Sequence, residues 1–301
     1  MSRDLLVFIV TIYIILLILV LTATLIANQA VTSKIDWLKA RDFLESQYVP
    51  EARLLRAATV SYPDNITIWI ASDNLLASRS LKVFGSPLAD DVLEKLNDYD
   101  GGWNGKHDIL LLRGIGQPRN TTSHYLGNIS GYMIMWDKAD GEILDDWEGY
   151  ADWIVYAALN STLQGDVDRA LELYKALMQL WDGYGFYDHP AKQKGVYDVY
   201  KLALAVYLHR VLDSCSYGNL DGELYDKWID IIAGAQRSDG GFITNYMIVD
   251  GKIIFTGDAN TETTSMVVLA LLSDYPDTLG RLCKLNRLLV EQWILDSMML
   301  T

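Results

Sequence analysis

The sequence predicts a mainly α fold, with helical hairpins in two concentric layers, a few short strands and one N-terminal transmembrane helix. Three observations lead there. Leu5 to Ser33 holds no charged residue, and Leu5 to Ala27 is almost wholly apolar. Beyond it, stretches apolar on nearly every side alternate with stretches that carry one apolar stripe. A helix apolar all round is buried, and a striped one covers it. Only 6 of the 301 residues are Pro, so few of these stretches are broken.

The first segment is long enough to cross a membrane, because about 20 apolar residues in a helix span the hydrocarbon layer. A cleaved signal peptide is the rival reading, with Asn28-Gln29-Ala30 as its cleavage site. Its apolar region would be shorter, about 7–15 residues, and its start more basic than Arg3-Asp4. Residues 1–33 therefore read as an anchor, binding the membrane through residues 5–27, and residues 34–301 as a single domain. Arg3 lies on one side of the anchor and Lys34, Lys39 and Arg41 on the other, so the charges do not favour an outside domain. Four Asn-X-Ser/Thr triplets do, at Asn65, Asn120, Asn128 and Asn160. Composition alone would give about one or two such glycosylation acceptors. The expectation is a cell-surface glycoprotein with its domain on the extracytoplasmic side.

Within the domain the all-apolar helices are Tyr150–Leu159, Tyr200–Leu212 and Ser265–Leu272. The striped ones are Val167–Trp181, a segment carrying Leu224, Trp228, Ile231 and Ile232, and a last one carrying Leu282, Leu285, Leu289 and Trp293. Asp73–Phe84 followed by Ala89–Leu96 reads as an earlier hairpin of the same kind. Short strands are expected at Ile66–Ala71, Asp108–Leu112 and Met133–Trp136, where Gly, Asn and Pro clusters bound apolar runs.

Composition removes several function classes. Half of the residues are hydrophobic, with 9 Trp and 18 Tyr, which excludes a disordered chain. A net charge of -14 without a Lys/Arg cluster argues against nucleic acid as a partner. Two Cys, at 215 and 283, exclude a disulfide framework and a multi-Cys zinc site, and leave one disulfide open.

Two turns, Asp100-Gly101-Gly102-Trp103 and Gln236-Arg237-Ser238-Asp239-Gly240-Gly241-Phe242, resemble the Gly-plus-aromatic turns of α/α toroids. That superfamily includes the six-hairpin glycosidases and the terpenoid cyclase and prenyltransferase-like proteins. Gly257–Thr264, opening an apolar helix, is similar to segments in the same proteins. The likeness covers residues 70–300 and implies an (α/α) toroid whose rim is a substrate funnel. Cyclase chemistry is not implied, since neither Asp-X-Asp-Asp nor Asp-Asp-X-X-Asp occurs. Asp213-Ser214-Cys215 looks like the zinc Asp-X-Cys of protein prenyltransferases, but every His precedes it.

The acids at the helix starts are the candidate site. Asp73 precedes the first helix; Asp145, Asp146 and Glu148 open the second; Asp198 stands at the third; Asp258 and Glu262 stand at the last. Glycosidic cleavage needs one protonated acid for the leaving oxygen and one carboxylate as base or nucleophile. The expected catalytic set is Asp145 or Asp146 with Glu148 on one side, and Asp258 or Glu262 on the other. Asp73, Trp103, Trp147, Tyr197, Asp239 and Phe242 would bind substrate, the aromatic rings stacking on sugar faces. N-capping is the competing account of any single acid, because a carboxylate there satisfies free backbone N–H groups. No cofactor is expected, although a calcium ion at the acidic mouth is a second reading of Asp145, Asp146, Glu148 and Asp152. Glycan processing is the expected function, as a hydrolase or lyase. A non-catalytic structural or interaction subunit of a membrane or surface-layer assembly is the alternative.

Overall fold

The computed structural model describes residues 34–215 and 220–286, and a compact unit begins at Trp37. Its helices are α1 (Trp37–Ser46), α2 (Leu76–Val83), α3 (Leu88–Leu96), α4 (Ala151–Gln164), α5 (Val167–Gln179), α6 (His189–Lys194), α7 (Val199–Ser214), α8 (Gly222–Gly234) and α9 (Thr261–Leu271). Residues 275–286 are also helical. The strands are β1 (Tyr48–Val49), β2 (Leu54–Leu55), β3 (Thr67–Trp69), β4 (Thr122–Ile129), β5 (Tyr132–Lys138), β6 (Tyr197–Asp198), β7 (Ile243–Val249) and β8 (Lys252–Ala259).

Four helices stand side by side in the order α2, α9, α7, α4, and α3, α8 and α5 lie against α2, α7 and α4 respectively. The sequence explains the division. In α7 all but a few side chains are buried, including Leu202, Leu204, Val206, Leu208, Val211 and Leu212. In α5 the buried residues Val167, Ala170, Leu173, Tyr174 and Leu177 recur at helical spacing, leaving the other face to solvent. Short polar side chains set the starts. Asp166, Asp188, Asp221 and Asn260 each accept a backbone N–H at the opening of α5, α6, α8 and α9.

The strands correct the expected fold class. In place of a mainly α toroid with a few short strands, the described residues combine helices with three small sheets. One sheet has the order β3-β5-β4, with β3 parallel to β5 and β4 antiparallel to it; another has the order β6-β7-β8. Among the described residues, the row of helices is not closed into a ring by helices alone. Between the ends of the row stand the 3-10 turn His107–Leu111, packed on α4, and β5, packed on the π-helical turn Ile70–Leu75 that leads into α2. Asp108–Leu112, expected as a strand, belongs largely to that 3-10 turn. Among the described residues no helix is long and apolar enough to cross a membrane. The expected anchor over residues 5–27 lies outside the described residues, as do Leu289 and Trp293 of the last striped helix.

The two Gly-Gly turns serve packing. A Cβ on Gly241 would stand 2.5 Å from the Phe43 ring, and one on Gly240 would stand 2.1 Å from the Lys39 carbonyl oxygen. These glycines let the turn before β7 lie directly on α1. Gly102, at a φ of 78°, sits against Leu96 and Leu75 beside the core cluster of Leu54, Ile68, Ile70 and Val92. Cys215, at the end of α7, is joined to Cys283 by a disulfide across 68 residues of chain.

Candidate functional site

A cleft of about 360 Å³ opens where the β3-β5-β4 sheet meets the starts of α2 and α9. Strand β3 contributes Trp69 and the π-helical turn contributes Ser72 and Asp73. A π turn carries one residue more than an α turn, and such turns recur at functional sites. Strand β5 supplies Asp137, the first turn of α9 supplies Glu262 behind its cap Asn260, and Asp64, Thr121 and Ser123 stand at the rim.

The loop that presents Lys106 and His107 is built by side chains. Asn104 Oδ1 accepts the N–H groups of Lys106 and His107 at 2.9 Å each. Asp108 accepts those of Asn104 and Gly105 at 2.9 and 3.1 Å. The amide of Asn104 then donates to Asp137 at 2.9 Å, and Asp137 also accepts the Ser72 N–H at 3.2 Å. Loop, strand and π turn are thus tied at one carboxylate. Lys106 Nζ reaches Asp152 at 2.8 Å and lies over the rings of Trp153 and Tyr156. Deeper still, Lys201 pairs with Asp188 at 2.8 Å and Asp198 at 2.7 Å, all three on or beside α6 and α7.

Burial sets the protonation of this cleft. It pushes Asp73 well above the usual carboxylate range, and the charges of Glu262, Asp137 and Asp64 add to the effect. It raises Glu262 to about 8, helped by Asp137 and opposed by Lys106. Asp137 is raised for the same reason, against the hydrogen bonds from Ser72 and Asn104. His107, stacked on Tyr156 with ring centroids 5.6 Å apart, is driven down to about 3 by burial and by Lys106. Asp152 goes the other way: burial raises it, but Lys106 and Lys201 outweigh that and hold it at about 2. Glu262 can therefore carry a proton at neutral pH and burial pushes Asp73 toward its neutral form, while Asp152 stays ionised as the counter-charge of the lysines.

Of the acids expected at the site, the structure brings Asp73 and Glu262 together on this cleft and places the others elsewhere. Asp145 is exposed. Asp146 faces His189 at 3.5 Å, and Glu148 pairs with Arg169 at 3.2 Å on the outer surface. Asp258 is fully engaged, accepting the N–H groups of Val60 and Ser61 at 2.9 Å each and pairing with Arg237 at 2.6 Å. These bonds hold it below the usual range in spite of burial. Asp239 is the other partner of Arg237.

The expected aromatic platform is also dispersed. Trp103 lies under the Arg113 guanidinium at 4.6 Å, and Trp147 lines a separate recess with Trp153 and Arg169. Tyr197 stacks on Tyr246 at 5.2 Å, and Phe242 is wholly buried. The aromatic ring on the cleft is Trp69. Sequence reasoning missed it, with Asp64, Lys106, His107 and Asp137. One signal was legible: an Asp in the apolar run Met133-Ile134-Met135-Trp136-Asp137 has to be satisfied or functional once buried.

Among the described residues no group of three or more His, Cys, Asp or Glu is placed to hold a metal ion. Of the triplet asparagines, Asn120 and Asn128 are exposed, while Asn65 and Asn160 are half-buried. Asn160 Oδ1 accepts the Ile115 N–H at 3.0 Å. Compared with known proteins, the chain matches no family model, no curated protein and no solved structure.

Proposed function

We propose that the chain is an extracytoplasmic glycan-processing enzyme, of glycoside hydrolase or lyase type, acting at the Asp73–Glu262 cleft. The observation that carries this reading is a carboxyl group held protonated near neutral pH, Glu262, in one cleft with a second carboxyl, Asp137, and an indole, Trp69. Glu262 is the general acid, giving its proton to the leaving glycosidic oxygen. Asp137, oriented by Ser72 and Asn104, acts opposite it as base or nucleophile. Trp69 offers a face for a sugar ring. Lys106, pinned by Asp152, tunes Glu262 downward and keeps its proton transferable. The Cys215–Cys283 disulfide supports an oxidising compartment, and the exposed Asn120 and Asn128 are accessible to a glycosylation machinery.

A glycan-hydrolysis screen on the full chain tests the reading, with Glu262→Gln and Asp137→Asn beside it. Each substitution should lower kcat by about a hundredfold or more, whereas Asp146→Asn/Glu148→Gln should leave it unchanged. Activity in wild type should fall above about pH 8 as Glu262 loses its proton. Full activity of Glu262→Gln overturns the assignment. Glycan binding without turnover by wild type would favour the non-catalytic interaction subunit.

A further inference from the structure

We infer, resting on the hydrolase form of the proposed glycan chemistry and not the lyase form, that the cleft's inner wall of Asp73 and His107 is a subsite for an uncharged, hydroxyl-rich sugar ring and rejects anionic glycans. Two buried atoms begin the argument. Asp73 is 2% exposed and His107 4%, yet Asp73 Oδ2 and His107 Nδ1 have no hydrogen-bond partner among the described residues. Both residues line the cleft. Natural proteins pair nearly all such atoms, so a polar group from outside the chain is the fitting partner.

The charges around the wall say what kind of group. The cation on it, Lys106, is already 2.8 Å from Asp152. The other titratable groups lining the cleft are Asp64, Asp137 and Glu262. An incoming carboxylate or sulfate would meet the carboxylates of Asp64 and Asp137 and find its cation neutralised, and like charges brought close repel. Burial favours the neutral form of Asp73, which both donates and accepts, and so does the neutral imidazole of His107. A hydroxyl group, itself donor and acceptor, satisfies either one.

The test is ligand-observed NMR on full-length Glu262→Gln, which removes turnover. The probes are neutral gluco- and manno-oligosaccharides and an oligogalacturonate. A neutral oligosaccharide should bind, and the oligogalacturonate should bind at least about tenfold more weakly. Asp73→Asn, which reproduces the shape and the donor–acceptor pair of a neutral acid, should keep affinity within about threefold, and Asp73→Leu should lose about tenfold. Should Asp73→Leu not fold, His107→Phe keeps the stack on Tyr156, removes the ring nitrogens and carries the same expectation. Tighter or equal binding of the oligogalacturonate, no neutral binding, or wild-type affinity in the folded Leu or Phe variant overturns the inference. Neutral binding by these rules with no wild-type turnover overturns the enzyme reading alone. Turnover of a polyanionic glycan overturns this inference alone.

Discussion

Glu262 and Asp152 are both carboxyl groups near the start of a buried helix, and the same burial acts on each with opposite results. Glu262 lies among other acids and rises to about 8; Asp152 lies between two lysines and falls to about 2. Their contributions to stability run in opposite directions with pH. A carboxyl whose pKa is raised on folding stabilises fully below its unfolded value and loses that contribution as pH rises through the folded value. Stability should therefore decline between about pH 4.5 and pH 8 through Glu262, and Tm of Glu262→Gln should decline less over that window. Asp152 gives stability above about pH 4 that fades as pH falls toward 2, so Asp152→Asn should blunt the acid side of the melting profile. Lys201 makes a sharper case. It is 3% exposed between Asp188 and Asp198, and Lys201→Met leaves two carboxylates without their cation. Chemical denaturation should show a loss of about 3–5 kcal/mol. Which acids would be functional was only partly legible. An acid at a helix start caps in Asp166, Asp188 and Asp221, pairs with a cation in Asp152, and lines the cleft in Asp73 and Glu262. Those outcomes depend on which distant residue arrives beside the carboxyl, and local spacing carries none of that.

The helices of the row were legible as elements, because α4, α7 and α9 bury residues on every side and their sequences are apolar on every side. The sheets were legible only in part: the strands expected at Ile66–Ala71 and Met133–Trp136 fall on β3 and β5, whereas β4, β6, β7 and β8 were not expected. Strands β7 and β8 mix exposed and half-buried positions, so their alternation is weak. The stronger signal was in the turns. Asp250-Gly251, at φ values of 50° and 72°, and Ser130-Gly131, at 50° and 90°, connect β7 to β8 and β4 to β5. Dipeptides of that type between β-rich runs mark hairpins, since both positions need positive φ. The Asp239-Gly240-Gly241-Phe242 turn was read as a fold signature, and what it does is make room for α1. Gly241→Ala should force the Phe43 ring aside and cost about 1–3 kcal/mol, visible as a lower urea midpoint.

At the scale of the whole molecule, the cleft draws on residues from Ala57 to Glu262, and no single element or short stretch of sequence contains its walls. That is why its composition escaped a reading made stretch by stretch. The disulfide between Cys215 and Cys283 fixes the end of α7 to the helix of residues 275–286, with Val167 and Leu171 of α5 packed over it. Closing a loop of this length restricts the unfolded chain by about 4 kcal/mol. Cys215→Ser/Cys283→Ser should lower stability by about 2–5 kcal/mol in a denaturant titration, and dithiothreitol should reproduce the loss in wild type alone.

The same bond turns residues 215–283 into a covalent ring that includes β7, β8 and the helix bearing Glu262. A single protease cut inside that ring, at the exposed Asp250-Gly251 tip for instance, would not release a fragment. The nicked chain would run at its full mass until reduced, and would keep Glu262 tethered opposite Asp73.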